Sequence, residues 1–368
     1  MKFNKKMVIM LCTVIAVFLF IIVLAMIFTS GSNKIWSYST MENKIIVAGK
    51  NYYSDNKNEL PETGTVSIDV STLVAKGYLS DLSKHSKDGV SCSGKLYVSK
   101  NPVDYSYRVN LDCGDKYSTS SLKKAVMKNL VTSGNGLYEE VQANPNNSTE
   151  MQTVYVFKGE NVNNYIKIGK TYFQIVKVYE NGEIAIIDNG KVLRTVWDDR
   201  FNIETNDNKG VNNYSVSRVK DSIENDVLNN TEVYTELKTF ITSHTACIAK
   251  KGLTDTSKDG SVECSETLEN QYFSLLPVYD FMNASLDDNC NETMSKSCYN
   301  YNYLSKDANS WWTVTGVLDN NQDVYYVSGS VNETHASNTR RVRLYAHLDA
   351  NVTYVSGTGS YEDPYILK

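Results

Sequence analysis

Hydrophobic and polar residues alternate along this chain with three different rhythms. From Met7 to Phe28 there is no alternation at all, since the run holds no charged residue, glycine or proline. A helix rises about 1.5 Å per residue, so this run spans roughly 33 Å, enough to cross a bilayer's hydrocarbon core. Lys2, Lys5 and Lys6 precede it and favour a cytoplasmic N-terminus. The pattern predicts an uncleaved single-pass anchor in the cell membrane, touching lipid through Met7–Phe28, with everything from about Lys34 onward extracellular. A cleavable signal peptide would have a shorter run and a small-x-small site, which Ala25-Met26-Ile27 does not offer. Lipidation at Cys12 would need a small residue before it, where Leu11 stands.

The second rhythm is helical. Ile35, Trp36, Tyr38, Met41, Ile45, Ile46, Ala48 and Tyr52 form one stripe interleaved with Lys and Glu, and Pro61 forbids its continuation. Val70 to Leu82 reads as a short second helix, with Ser71-Thr72 near its start and Gly77 toward its end. Lys95–Val98 and Tyr105–Leu111 then alternate as strands. Residues 118–150 read as a linker: Ser133-Gly134-Asn135-Gly136 and Asn144-Pro145-Asn146-Asn147 are turn residues around a short helix at Leu122–Leu130.

The third rhythm, period two, dominates the rest. Val154–Phe157, Tyr165–Ile168, Tyr172–Val178 and Ile184–Ile187 read as strands, and Asn181-Gly182 marks a hairpin turn. Val216 to Ile241 returns to helical spacing through Val219, Ile223, Val227, Val233, Leu237 and Phe240. Tyr272–Asp280 and Trp311–Val317 read as buried segments, and Val324–Ser328 and Val342–Leu348 as strands. Gly357-Thr358-Gly359-Ser360 turns the chain before Tyr365-Ile366-Leu367. The expected organisation is therefore a tip and anchor over 1–33, a first module over 34–117, the linker, and a larger domain over 151–368.

Composition narrows the class. After the anchor about 335 residues remain, room for two ordinary domains. The net charge of −5 is mild and mixed along the chain, which excludes an extended nucleic-acid surface. Tyr is abundant at 26, Lys is preferred to Arg, and Pro is only 5, a bias that fits an AT-rich bacterial genome. Of seven cysteines, six lie beyond the apolar run, an even set suited to disulfides in an oxidising compartment. Proximity pairs them as Cys92–Cys113, Cys247–Cys264 and Cys290–Cys298. Zinc is a poor alternative, because no CxxC or His-flanked pair occurs.

The first module resembles type IV pilins and pseudopilins of Gram-positive bacteria. The likeness rests on the long N-terminal helix, Asn51-Tyr52-Tyr53 followed by Leu60-Pro61, the Thr72-Leu73-Val74 to Gly77-Tyr78-Leu79 helix, and the cysteine-stapled strands. The Gly and Glu that a prepilin peptidase needs around the apolar run are not present in this chain. The second half resembles an uncharacterised extracellular domain of Gram-positive surface proteins. Its marks are Phe157-Lys158-Gly159, Leu275-Leu276-Pro277-Val278-Tyr279-Asp280-Phe281, Cys298-Tyr299-Asn300-Tyr301-Asn302-Tyr303-Leu304, Trp311-Trp312-Thr313-Val314-Thr315 and Val342-Arg343-Leu344-Tyr345. That order is similar to C-type-lectin-like folds, including the formylglycine-generating branch. The resemblances imply an α+β class: a transmembrane helix continuing into a pilin-like helix with a small antiparallel sheet, then a mixed lectin-like domain.

Chemistry is sparse. There is no HExxH, no GxSxG, no phosphate-cradling Gly-Lys-Ser/Thr loop and no GxGxxG after a strand. His85, His244, His335 and His347 stand in unrelated contexts. No cysteine follows Cys298, so formylglycine-type copper chemistry has no reactive pair near the C-terminus. Leu60-Pro61-Glu62-Thr63-Gly64 matches the sorting signal that sortases cleave, but a working signal sits near a C-terminus; here it reads as a turn. Asp255–Gly260 and Asp287-Asp288 with Glu292 offer oxygen ligands without calcium-loop spacing, and read as solvated turns. Trp311, Trp312, Tyr325 and Tyr326 are the candidate ligand-binding residues, a sugar-stacking platform set against plain core packing. The expectation is a non-enzymatic adhesion protein without a cofactor, catalytic residue or metal, binding a glycan or a surface protein. The alternative is a structural subunit of a pseudopilus-like assembly, self-associating through Ile35–Tyr53.

Overall fold

The structure, a computed structural model, describes residues 35–306 and 309–368. Helix α1 (Tyr38–Asp55) does not continue an earlier helix. Ser37 before it is extended, and its Oγ accepts from Thr40 N–H, an N-cap that starts a new helix at this point. Met41, Ile45, Ala48 and Tyr52, four members of the periodic stripe, face inward. They pack on an antiparallel sheet of β1 (Thr65–Asp69), β2 (Ser93–Lys100) and β3 (Tyr105–Asp112), order β1-β2-β3. Helix α2 (Val70–Ala75) adds Val70 and Leu73 to the same core. Cys92–Cys113 closes the open end of the β2–β3 hairpin. The Leu60–Gly64 segment is the bend that feeds β1, with Glu62 and Thr63 exposed and Gly64 at positive φ.

Residues 118–150, expected as a linker, are built into the larger body. Helix α3 (Leu122–Val126) buries Leu122 and Val126 in the same core as Ile175 and Trp311. The hairpin of β4 (Gly136–Asn144) and β5 (Asn147–Lys158) turns at Pro145-Asn146 and adds Leu137 and Val156 to it. Next come β6 (Tyr165–Ile168), β7 (Thr171–Tyr179), β8 (Ile184–Ile187), β9 (Leu193–Val196), β10 (Ile241–Thr242) and β11 (His244–Cys247). Then follow β12 (Thr267–Gln271), β13 (Ser274–Leu275), β14 (Trp311–Gly316), β15 (Asp323–Ser328) and β16 (Ser330–His335). The last strands are β17 (Thr339–Val342), β18 (Leu344–Leu348), β19 (Tyr354–Ser356) and β20 (Tyr365–Leu367).

These strands form two main sheets. The larger runs β10-β18-β8-β7-β6-β20-β19, with β5 and β4 continuing from β7 and β13 beside β18. The smaller runs β16-β15-β14-β17-β9, and β11 pairs with β12 apart from both. Two chain segments cross between the main sheets side by side. Residues 188–192 carry the chain from β8 to β9, and Arg343 alone carries it from β17 to β18. Since β8 pairs with β18 and β9 with β17, the two crossings lie together.

The architecture corrects the α+β expectation: 36% of the described residues are strand and 23% helix, mostly in short turns. Among the described residues no helix is long and apolar enough to cross a membrane. The single-pass membrane placement therefore has no support in the structure, and the Met7–Phe28 run on which it stood lies outside the described residues. The long helix expected over 216–241 is also corrected. It breaks into a 3₁₀ turn, α4 (Arg218–Ser222), a π turn at Ile223–Leu228 and a 3₁₀ turn at Leu237–Thr239. Asn229-Asn230-Thr231 interrupt it, Tyr234 takes a positive φ, and Lys238 Nζ donates to the freed carbonyls of Val227 and Asn230. A further helix, α5 (Val278–Asn283), is wholly buried.

The two bodies meet through polar contacts. Asp349, after β18, accepts from Thr65 Oγ1 at 3.0 Å and from Ser99 Oγ. Arg108 Nη2 and Ser106 Oγ, both on β3, donate to Thr239 O at 2.7 and 2.5 Å. Lys368 Nζ reaches Glu42 on α1 at 2.6 Å. Burial alone would raise the Glu42 carboxyl, but hydrogen bonds from Lys368, Thr119 and Tyr117 hold it below the ordinary value.

Candidate functional site

The four aromatic candidates are placed mostly inside. Trp311, Trp312 and Tyr325 are 0% exposed, so none offers a face to a ligand. Arg343 lies over the Trp311 ring, Trp312 Nε1 donates to Thr195 O, and Tyr325 OH donates to Lys251 O. Tyr326 is half-buried, with the Arg340 guanidinium 4.3 Å from its ring centre. The strand β14 is covered on both faces, which puts both tryptophans in the core.

The six cysteine candidates form Cys92–Cys113, Cys247–Cys264 and Cys290–Cys298. The acidic loops are tied up locally. Asp255 pairs with Lys251 at 2.9 Å, Asp259 accepts from Ser257 and Ser261, and Asp287 accepts from Asn289 and Asn300. Among the described residues no group of three or more His, Cys, Asp or Glu could hold a metal ion.

Two clefts gather polar and aromatic side chains. The first, about 350 Å³, lies between the two bodies, where Thr63 and Gly64 face the β4–β5 turn and β11. Its wall carries His244 and His347 stacked ring on ring, 4.2 Å between centres. Burial, with the neighbouring His347, pushes His244 well below the usual imidazole value; burial and the nearby Lys177 charge push His347 down to about 3. Two neutral rings can stack where two cations would repel. Glu183 lies 3.2 Å from His347 Nδ1, while Ser274 Oγ lies 2.9 Å from His244 Nε2. A serine–histidine–carboxylate relay needs all three groups on one imidazole. Here the carboxyl and the hydroxyl sit on different rings, and the relay is broken.

The second cleft, also about 350 Å³, opens at the paired crossings between the main sheets. From the larger sheet β6 and β7 supply Tyr165, Tyr172 and Gln174; from the crossings come Asp188, Asn189, Lys191 and Arg343. Tyr361, from the turn before β20, is 56% exposed and closes one side. It stacks on Tyr172 at 5.0 Å and meets Tyr165 edge-on at 5.3 Å. A second hollow continues past Tyr165, Tyr303 and Tyr361 to Asn161 and Glu362.

The floor of this cleft is rigid. Asp188 Oδ1 accepts from Gly190 N–H and Leu344 N–H, and its Oδ2 accepts from Tyr234 OH at 2.6 Å. Arg343 Nε donates to Asp188 O at 2.7 Å and Nη2 to Gln174 Oε1 at 3.1 Å. Burial raises the Asp188 carboxyl, against the lowering pull of Tyr234 and the Gly190 amide. Lys306 at the rim donates to Asn161 and lies 3.6 Å from Glu160. One polar atom stands out. Asn189 Oδ1 is buried and accepts no hydrogen bond from any described residue, though it lines the cleft.

Sequence reading missed this cleft. Its lining comes from five separated segments, and only the Asp-Asn-Gly turn at 188–190 and the Tyr-Glu-Asp turn at 361–363 carried a local signal. No known protein family matches this chain, and no curated protein or solved structure matches it either.

Proposed function

We propose that this protein is a non-enzymatic recognition protein that binds an acidic saccharide in the tyrosine-lined cleft. The observation that carries the reading is the convergence of Tyr165, Tyr172 and Tyr361 with Lys191, Arg341 and the unpartnered Asn189 carbonyl on one rigid floor. Tyrosine rings cover the apolar faces of pyranoses, and their hydroxyls remain available at the rim. The Asn189 carbonyl accepts a sugar hydroxyl, and Lys191 and Arg341 answer a carboxylate. The three disulfides fit work in an oxidising compartment.

The test is titration calorimetry of the full chain with a uronic-acid oligosaccharide and with its neutral counterpart. Binding of the acidic sugar is expected, with Tyr361→Ala weakening it by about tenfold or more, the loss of one aromatic contact. Arg341→Gln is expected to erase the preference for acid while leaving neutral binding unchanged. Equal heats from wild type and Tyr361→Ala would remove the cleft from the explanation.

A further inference from the structure

Behind the histidine cleft, three side chains from three elements meet away from water. Lys177 on β7, Gln142 on β4 and Asp280 on α5 are each at most 2% exposed. Lys177 Nζ lies 2.8 Å from Gln142 Oε1, 3.2 Å from Tyr279 OH and 2.5 Å from Asp280 Oδ1. The approach to Asp280 is close but misdirected: Oδ1 accepts no aligned hydrogen bond from any described residue. Gln142 Nε2 is likewise buried with no acceptor among the described residues. The amide therefore presents its carbonyl to an amine while its nitrogen is held by nothing, an arrangement that hydrogen-bond satisfaction alone does not account for. The other two buried lysines make the contrast. Lys238 Nζ donates to the carbonyls of Val227 and Asn230 at 2.6 Å. Lys251 Nζ is met by Ser257 O, Asp255 Oδ1 and Glu263 Oε2 at 2.7–3.1 Å, all ordinary oxygen acceptors and none of them a side-chain amide.

We propose that Lys177 and Gln142 join through an intramolecular amide cross-link, with Asp280 as the proton carrier. The Lys177 amine attacks Cδ of Gln142; the Nζ–Cδ bond forms, the Cδ–Nε2 bond breaks, and ammonia leaves. Asp280 in its acid form gives its proton to the departing nitrogen and takes the attacking nitrogen's proton in its place, so it ends as it began. Both nitrogens share one carbon in the tetrahedral adduct, so a carboxyl touching the first reaches the second. An amine and a primary amide become a secondary amide and ammonia, with no oxidant and no other reactant. Burial lowers Lys177 and raises Asp280, pushing both toward their uncharged forms against the mutual attraction of the pair. The Tyr279 ring, 4.6 Å from Nζ, helps to keep water out. Fixed contact replaces encounter, which makes a sluggish aminolysis effectively unimolecular. The bond would tie β4 directly to β7, two strands that the sheet order separates by β5. It is independent of the saccharide reading.

Intact mass of the full chain after reduction of the disulfides reads the bond directly. The wild type is expected at one ammonia below its sequence mass, with a proteolytic fragment pair that joins the segments holding Gln142 and Lys177. Asp280→Asn and Gln142→Leu are each expected at their full sequence mass, with circular dichroism showing that at least one of them folds. A wild type at full sequence mass would overturn the cross-link. A loss of one water, with Lys177 joined to Asp280, would overturn Gln142 as the acceptor. Retention of the ammonia loss in Asp280→Asn would overturn the carrier.

Discussion

Trp311 and Trp312 are neighbours on a strand, so their rings leave on opposite faces. Alternation promised that one would be buried; the second was fixed by what covers the other face, Thr195 and Arg340 from distant segments. Local pattern says which side a residue takes, and only the tertiary fold says whether that side is wet. The same limit hid Glu183, an ordinary hairpin residue until β18 packs beside it. Burial first, and the Asp349 carboxylate second, push its carboxyl up to about 7 from 4.5. Between those values the native protein holds a proton that the unfolded chain has released. Its contribution therefore falls as pH rises from 4.5 to about 7, and the loss is complete above that. His347 runs the other way. Its value drops from 6.5 to about 3, so stability is lost as pH falls through that window, and His244 shifts in the same direction. Glu183→Gln keeps a hydrogen-bonding group beside His347 but cannot ionise. Relative to wild type, urea unfolding should show it gaining about 2–3 kcal/mol between pH 4.5 and pH 8. An identical difference at both pH values would mean that Glu183 titrates normally.

Helix α1 shows what periodicity can deliver. Met41, Ile45, Ala48 and Tyr52 were legible as inward positions, because a 3.6 repeat over several turns has few other readings. Glu42, Gly49 and Tyr53 also face inward, whereas Ile35, read into the stripe, is exposed. The 216–241 segment carried a similar repeat and did not fold as one helix, since two asparagines and a threonine at 229–231 cost helix more than the apolar stripe returned. Strand alternation was legible through most of the chain; strand order was not, because pairing partners such as β20 and β6 lie about 200 residues apart in sequence. Close packing makes a sharper test of the helix. A Cβ on Gly49 would run into Leu96 Cδ2, and Leu96 on β2 is fully buried, so its side chain can give way only by displacing its core neighbours. Gly49→Ala gains helix propensity yet should still lower stability by about 1–2 kcal/mol through overpacking. Adding Leu96→Val should restore part of that loss in thermal unfolding, whereas simple additivity of the two costs would show that the helix does not lie so close to the sheet.

Across the whole molecule, the boundary between the two bodies follows chemistry more than composition. The Ser- and Asn-rich stretch that looked like a linker folds into the larger core through Leu122, Val126 and Leu137, three apolar residues scattered among turn residues. The joint lies elsewhere, in polar contacts between side chains far apart in sequence. Asp349, 2% exposed, accepts from Thr65 and Ser99 on the small sheet, and Arg108 with Ser106 grips the Thr239 carbonyl. Such contacts hold only while both bodies are folded, so they couple two unfolding events that have separate apolar cores. Asp349→Ala removes the shared acceptor of Thr65 and Ser99 and leaves their hydroxyls only each other to bond, a loss of about 1–3 kcal/mol. The scanning calorimeter should then show the smaller body, with its modest core, melting ahead of the larger one, where the wild type melts with less separation. Asp349 also caps Asn351 N–H inside its own body, so one variant does not isolate the joint. The double change Thr65→Ala with Ser99→Ala removes the same contacts from the opposite side and should separate the transitions to a similar extent. If it leaves the melting profile as it was, the Asp349 contacts do not carry the coupling, and Arg108 on Thr239 becomes the place to look.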